Sequence, residues 1–375
     1  MTIDSRQREM WERLDGISHS GTGFLAAPDC LGKVVLVTGA GGSIGSALAR
    51  HIALSHPRRM ILLDISERNL NEVEAELSET APTIPPVPIL GDICDQELVN
   101  EIFSCYQPDV VLHTAALKHV PLMEKNPLAA VRTNVFGTAT LARAAAQSGT
   151  SQLVMVSTDK AVVPASIMGV SKRLAELVLL RSATAETLMK CVRLGNVLGS
   201  DGSVGPLLLR QIREGGPLTV THPEAERYFF TMSQAVSLIL EASTLAQSGI
   251  LIPAVIPKPL RVLELAGALI QQENLEHGNL QITFTGLRPG EKLSETFTFA
   301  TETVRPTQIP GLFSISGPVP DPAQLDSASQ KLCEAICQRD TNLLLRALCS
   351  VVPEYKPSDT LRKLAGWSSS SIDNP

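Results

Sequence analysis

The chain has 375 residues, 44% of them hydrophobic and 19% charged, which is enough for a large core and one or two domains. Its net charge of -6 argues against a bulk electrostatic grip on nucleic acid, and no run approaches the ~18 apolar residues that a membrane span needs. Seven cysteines without a CxxC pair, and seven histidines without metal-ligand spacing, point to free thiols in a reducing compartment and to no metal site.

Residues 1–30 read as an irregular arm with one short helix. The first residues are charged and lack the apolar stretch of a secretory leader, so a cytoplasmic protein is expected. Regular alternation then begins. KVVLVT (33–38) reads as a strand, SIGSALARHIAL (43–54) as a helix, RMILLD (59–64) as a strand, and SERNLNEVEAEL (66–77) as a helix with an N-terminal Ser. VPIL (87–90) and DVVLH (109–113) continue the strands. A helix around 127–148, the strand QLVMVS (152–157), a helix over 168–183 and the strand KCVRLG (190–195) follow. This alternation predicts an α/β fold with a doubly wound parallel sheet, its strands covered on both faces. Beyond residue 196, Gly/Pro-rich turns separate shorter elements. The expected organisation is a dinucleotide-binding domain over 31–195 and a smaller region over 196–365 that caps the sheet, some of its segments returning to it. A disordered tail is expected over 366–375, and there is no internal repeat.

The first strand runs into Gly39-Ala-Gly-Gly42-Ser43-Ile44-Gly45 and then a helix. Glycines suit a tight turn that lets backbone approach a pyrophosphate, and the helix start offers free N–H groups to it. Asp64 ends the second strand 19 residues after Gly45, where a carboxylate accepts from a ribose 2′-hydroxyl and repels a 2′-phosphate. NAD is therefore favoured over NADP, with Arg68 the one nearby residue that softens the preference.

The GxxGxxG spacing resembles the extended short-chain dehydrogenase/reductase superfamily. By that resemblance Asp92 and Ile93 contact the adenine, and the His113-Thr-Ala115-Ala116 loop passes under the nicotinamide ribose. The superfamily's Tyr-x-x-x-Lys pair is here Met168-Gly-Val-Ser-Lys172. The stretches HTAALKHVPLMEKNP (113–127), STDKAVVPASIMGVSKRLAE (157–176), RLGNVLGSDGSVGPLLLRQI (193–212), LTVTHPEAERYFFT (218–231), GLRPGEKLSE (286–295) and VPEYKP (352–357) resemble the UDP-N-acetylglucosamine 4,6-dehydratases of the capsule and O-antigen polysaccharide biosynthesis family. One branch of that family carries Met at the Tyr position.

The resemblance implies a reaction in which C4 is oxidised, water leaves from C5 and C6, and the hydride returns to C6. It implies Asp159 as the acid for the C6 hydroxyl, Lys160 as the C5 base, and Thr158, helped by Lys172, at the O4 proton. Asp159 must then be protonated and Lys160 neutral, whereas a salt bridge between them would do the opposite. The segment must also bend, because consecutive strand residues point to opposite faces. On the substrate side the resemblance implies Lys118, Asn196, Ser200, Arg227 and Arg288 around the diphosphate, and Glu291 at the uridine ribose. His113 and His119 read as structural, and Glu124 and Asn134 as buried residues that fix loop geometry. Homo-oligomerisation, through helices around 125–148 and 168–183, is implied as well. Three departures bear on the sugar: Glu224-Ala-Glu226 before Arg227, the run IPAVIPKP after Leu251, and the segment after Lys292. The alternatives are a nucleotide-sugar epimerase, a C5-inverting or 5,6-eliminating dehydratase and, from another class, a non-catalytic NAD-sensing module.

Overall fold

Five consecutive residues from Val34 to Thr38 are buried, and this strand (β1) lies inside the main sheet with a neighbour on each side. The computed structural model describes residues 30–81, 83–273 and 280–367. Most of the arm expected over 1–30, and the tail beyond Trp367, lie outside the described residues.

From β1 the chain alternates as the hydrophobic pattern demands. Helix α1 (Ser43–Ala53), β2 (Arg59–Asp64), α2 (Glu67–Thr80), β3 (Val87–Leu90), α3 (Gln96–Tyr106) and β4 (Val110–His113) come first. Side chains set the helix starts: Ser66 Oγ accepts from Asn69 N ahead of α2, and Asp95 accepts from Glu97 N and Leu98 N ahead of α3. After two short helices, α4 (Val120–Met123) and α5 (Pro127–Val131), a π-turn over Arg132–Gly137 leads into α6 (Thr138–Ser148). Strand β5 (Gln152–Thr158), helix α7 (Ile167–Arg181) and β6 (Leu188–Leu194) complete the alternation.

The second half adds β7 (Asn196–Val197), α8 (Val204–Arg213), β8 (Leu218–Val220), β9 (Glu226–Arg227), β10 (Phe229–Phe230) and α9 (Met232–Thr244). Then come β11 (Gly249–Pro253), β12 (Leu260–Arg261), α10 (Val262–Gln272), β13 (Ile282–Phe284), β14 (Thr303–Pro306) and β15 (Leu312–Ser316). Three helices close the described chain: α11 (Pro322–Gln338), α12 (Thr341–Val351) and α13 (Asp359–Leu364).

One nine-stranded sheet has the order β14-β15-β11-β6-β5-β4-β1-β2-β3. Seven strands, from β3 to β11, are parallel, and β15 and β14 add antiparallel at the far edge. The chain thus re-enters the sheet after residue 248, so the region past 196 shares the main sheet. Order reverses between β1 and β4, which opens a crevice at the carboxyl ends of those strands. A second core joins Met168, Leu174 and Leu177 of α7 to Leu325, Leu332, Leu344 and Leu348 of the C-terminal helices. Helix α7 therefore buries twelve of its fifteen residues, which explains why its sequence has no single apolar stripe. Arg181 at its end donates to the Pro322 carbonyl and pairs with Asp326 at 2.7 Å, so the C-terminal layer covers a helix offered above for self-association. No described helix is long and apolar enough to cross a membrane.

Candidate active site

The glycine loop lies at the crevice between β1 and β4. Gly39 has φ +69, and a Cβ there would sit 2.6 Å from the Ala115 amide nitrogen. Gly45 is tighter still, since its Cβ would lie 2.1 Å from the Gly39 carbonyl oxygen. These approaches require glycine, and they bring the Thr114–Ala116 loop over the start of α1, where Thr114 Oγ1 donates to the Thr38 and Gly39 carbonyls. Gly42 precedes α1, so the first-turn amides of Ser43, Ile44 and Gly45 have no acceptor within the helix and can meet an anion. Asp64 holds the loop from the side, accepting from Gly41 N and Ser66 N at 2.8 Å each. Arg68 pairs with Glu72 at 3.0 Å and leaves the Asp64 charge uncompensated by it.

Asp92 accepts from Cys94 N and pairs with Arg132 at 2.9 Å. Burial alone would raise its carboxyl, but those hydrogen bonds and the Arg132 charge hold it below the usual carboxylate range. Ile93 is buried against Gly137 of the π-turn. His113 bonds Thr38 Oγ1 through Nδ1 (2.8 Å) and Thr138 Oγ1 through Nε2 (3.0 Å). Burial first, then the Lys172 charge, push it down to about 3, so it is a neutral structural residue. Asn134 ties the 114–118 loop to α7, accepting from Leu117 N and donating to Leu117 O and to Ser171 Oγ.

At the end of β5 the backbone bends as the alternation argument requires. Asp159–Ala161 form one 3₁₀ turn, with Thr158 Oγ1 accepting from Lys160 N. Asp159 and Lys160 thereby point to a common place. Lys160 Nζ lies 2.9 Å from Asp159 Oδ1 and 2.8 Å from Asn196 Oδ1, and Thr158 Oγ1 also donates to Asp159 Oδ1 at 2.9 Å. Asp159 is fully buried, and its Oδ2 has no hydrogen-bond partner. The salt bridge that opposes the expected acid and base states is thus present. Met168 is buried in the second core and offers no proton. Lys172 forms no ion pair among the described residues. Burial pushes its ammonium down to about 8, against the pull of Cys191 and Glu176.

The substrate-side residues converge through several contacts. Pairing of β7 with β10 sets Asn196 opposite Phe229, with Asn196 N donating to the Tyr228 carbonyl. Asn196 reaches the catalytic turn through Lys160, a placement that sequence reasoning had directed to the diphosphate. Arg227 is buried without an acidic partner among the described residues, its guanidinium held by the Glu226 and Leu293 carbonyls. That is a cation with charge to spare for an anionic ligand. Arg288 and Glu291 instead pair with each other, Arg288 Nη2 to Glu291 Oε1 at 2.5 Å. Burial lowers the Lys118 ammonium, with Asp201 pulling the other way, and burial, Lys118 and Arg288 together lower His119. Ser200 is buried at the turn before Asp201.

Sequence reasoning missed several contributors. Asp201 exchanges two hydrogen bonds with Ser43, Oγ to Oδ2 and N to Oγ at 3.0 Å each, and so joins the loop after β7 to the glycine loop. Glu124, read only as a loop-fixing residue, accepts from Ile167 N at the start of α7 and from Ser358 Oγ ahead of α13. Lys292 and Glu295 stand beside the catalytic turn, and only the spacing of the Arg288–Glu295 run hinted at them. Behind the site, Arg193 is fully buried between Glu176 and Glu302, with contacts of 2.8–3.0 Å to both. Burial alone would raise Glu176, but the Arg193 charge brings it down to about 2.

A family model described as polysaccharide biosynthesis protein matches residues 35–316. The chain is 43% identical over 288 residues to the capsular polysaccharide biosynthesis protein CapD of Staphylococcus aureus, covering 76% of this chain and 48% of CapD. It thus spans about half the length of that relative, and likewise 44% of the probable polysaccharide biosynthesis protein EpsC of Bacillus subtilis, at 43% identity over 70% of this chain. A UDP-glucose 4-epimerase of Rickettsia rickettsii is 32% identical, covering 72% of this chain and 79% of that enzyme. Among solved structures, Pen from Bacillus thuringiensis superposes with a TM-score of 0.69 at 30% identity, covering 78% of this chain and 89% of Pen. With the glycine crevice, the Thr158–Lys160 turn and Lys172 placed on this fold, the chain belongs to the polysaccharide biosynthesis protein family of extended short-chain dehydrogenase/reductases.

Proposed function

We propose that the protein is an NAD-dependent nucleotide-sugar 4,6-dehydratase whose substrate is UDP-N-acetylglucosamine. The observation that carries this reading is the 3₁₀ turn that gathers Thr158, Asp159 and Lys160 beside the crevice where Lys172 stands buried. The residues present fit NAD: two glycines that a Cβ would jam, a helix start with free amides, and a carboxylate at Asp64. When bound, NAD takes the C4 hydride and supplies it back at C6.

The chain's own residues handle the protons. The O4 proton passes through the Thr158 hydroxyl, which releases its own proton as it receives it, to Lys172 in its neutral form, whose ammonium burial lowers to about 8; Met168 has no proton to relay. Asp159 presents its unpartnered Oδ2 to the C6 hydroxyl, and Lys160 Nζ takes the C5 proton. The observed ion pair and the active pair, Asp159 neutral and Lys160 neutral, differ by one proton moved along a 2.9 Å hydrogen bond. Arg227, Lys118 and Arg288 supply the charge for a diphosphate, once the Arg288–Glu291 pair opens to place Arg288 on phosphate and Glu291 on ribose.

One observation favours a second reading. An epimerase needs only the O4 proton acceptor, and the Asp159–Lys160 ion pair as seen is idle in that chemistry; a relative named UDP-glucose 4-epimerase matches most of the domain. Lys160→Ala separates the two. A dehydratase loses turnover while NAD remains bound, and an epimerase keeps interconverting C4 epimers without change in substrate mass. A protein that binds NAD cleanly and turns over no nucleotide sugar would support the sensor class instead.

A further inference from the structure

The loop after the catalytic turn holds a strained residue. Val163 has φ +41, in the left-handed region that a β-branched residue disfavours, and its side chain is exposed, so its own packing does not hold it there. One side chain from a distant segment does. Lys292 Nζ donates to the Val162 carbonyl at 3.0 Å and reaches the Val163 carbonyl at 3.5 Å. Val162 N in turn donates to the Asp159 carbonyl at 3.1 Å and closes the turn that carries Lys160.

Lys292 follows Glu291 directly, and its own segment is fixed on both sides. The Leu293 carbonyl accepts from Glu226 N and from Arg227, and farther on Glu302 is locked to Arg193. The same ammonium pairs with the buried Glu295 at 2.5 Å. Burial and the Asp159 charge raise the Glu295 carboxyl, while Lys160 and Lys292 lower it, so Glu295 lies within electrostatic reach of the catalytic pair.

We propose that Lys292 is a positioning residue: it pins the Val162 and Val163 carbonyls, and so makes the nucleotide-binding loop Arg288–Glu291 and the catalytic turn Asp159–Ala161 one mechanical unit. The proposal rests on the reading of the site given above. Without the ammonium, Val163 relaxes toward negative φ, the 162–163 peptide rotates, and the turn that aims Lys160 loosens. Glu295 also loses its counter-ion beside Asp159.

The test uses the full chain with its bound dinucleotide and the variants Lys292→Met and Lys292→Arg. Hydrogen exchange is followed at the Val162 amide, together with kcat and KM on UDP-N-acetylglucosamine. For Lys292→Met, protection of Val162 is expected to fall about tenfold or more while amides of β1 and β4 keep theirs. Its kcat is expected to fall at least about tenfold with KM changed less than about threefold, and Lys292→Arg restores most of both. Adding Glu295→Gln to Lys292→Met recovers part of kcat, because the uncompensated charge is removed. Wild-type protection and kcat in Lys292→Met would overturn the proposal, as would a loss of protection spread over the whole chain. A wild-type protein that turns over no nucleotide sugar would refute the dehydratase reading, and the exchange at Val162 would still decide the role of Lys292.

Discussion

Lys160 Nζ donates to Asp159 Oδ1, and what that contact does in the reaction is the chemical question at the residue scale. Their contact at 2.9 Å, with Asn196 on the other side of Nζ, gives a path for proton transfer without any rearrangement of heavy atoms. Lys160→Ala removes both the proposed C5 base and the partner of Asp159. We expect turnover to fall by about 10²-fold or more, with NAD content of the purified protein unchanged. A rapid-quench assay beside acid-released NAD measures both quantities. That Thr158, Asp159 and Lys160 share one bend was legible because they are consecutive at the end of a strand. The Asn196–Lys160 contact was not, because the two are 36 residues apart and meet through a two-residue pairing of β7 with β10. The mutual ion pair of Arg288 and Glu291 depends on loop geometry that no sequence pattern encodes.

Elements position these residues through packing that leaves little slack. A methyl at residue 45 would meet the Gly39 carbonyl at 2.1 Å, so Gly45→Ala must displace α1 or the loop. Purified Gly45→Ala is expected to carry far less dinucleotide than wild type, read by absorbance after acid release. Behind the site, Arg193 of β6 joins α7 through Glu176 and the returning segment through Glu302, stacked by Phe299. Arg193→Met leaves the buried Glu176 and Glu302 carboxylates with Arg173 as their counter-ion, at 3.0 and 3.8 Å, and a loss of about 3 kcal/mol is expected from denaturant unfolding. Six of the seven parallel strands were legible because apolar residues dominate each, although β6 carries Lys190 and Arg193; β11 lies past the regular alternation and was not read as a strand. The antiparallel return of β14 and β15 was not, since Thr303–Pro306 is exposed throughout and carries no alternation. Nor was the C-terminal layer over α7, because an all-round apolar helix does not reveal which neighbour covers which side.

At the scale of the whole molecule, the buried network ties stability to pH. Glu176 is held at about 2 against an ordinary 4.5, so its charged form belongs to the folded state. Its stabilising contribution is complete above about 4.5 and is lost as pH falls toward 2, a change of about 3 kcal/mol. Unfolding free energy measured between pH 5 and 2 should drop steeply in wild type. The drop should be shallower in Glu176→Gln, which starts from a lower value. The same network joins β6, α7 and the segment around Glu302, so the sheet and the segments packed on it keep a fixed relation. Of the three departures, 224–226 and the segment after Lys292 lie outside the nine-stranded sheet, whereas the run after Leu251 begins inside its strand β11.

The central claim is dehydration of a nucleotide sugar with an internally retained hydride. Its most direct test is incubation of the purified protein with UDP-N-acetylglucosamine and no added cofactor, followed by mass spectrometry and proton NMR of the sugar. The account predicts loss of one water and a new C6 methyl signal, at a rate that added NAD does not raise. A product of unchanged mass with inverted C4, or an untouched substrate across the UDP-sugars, would contradict it.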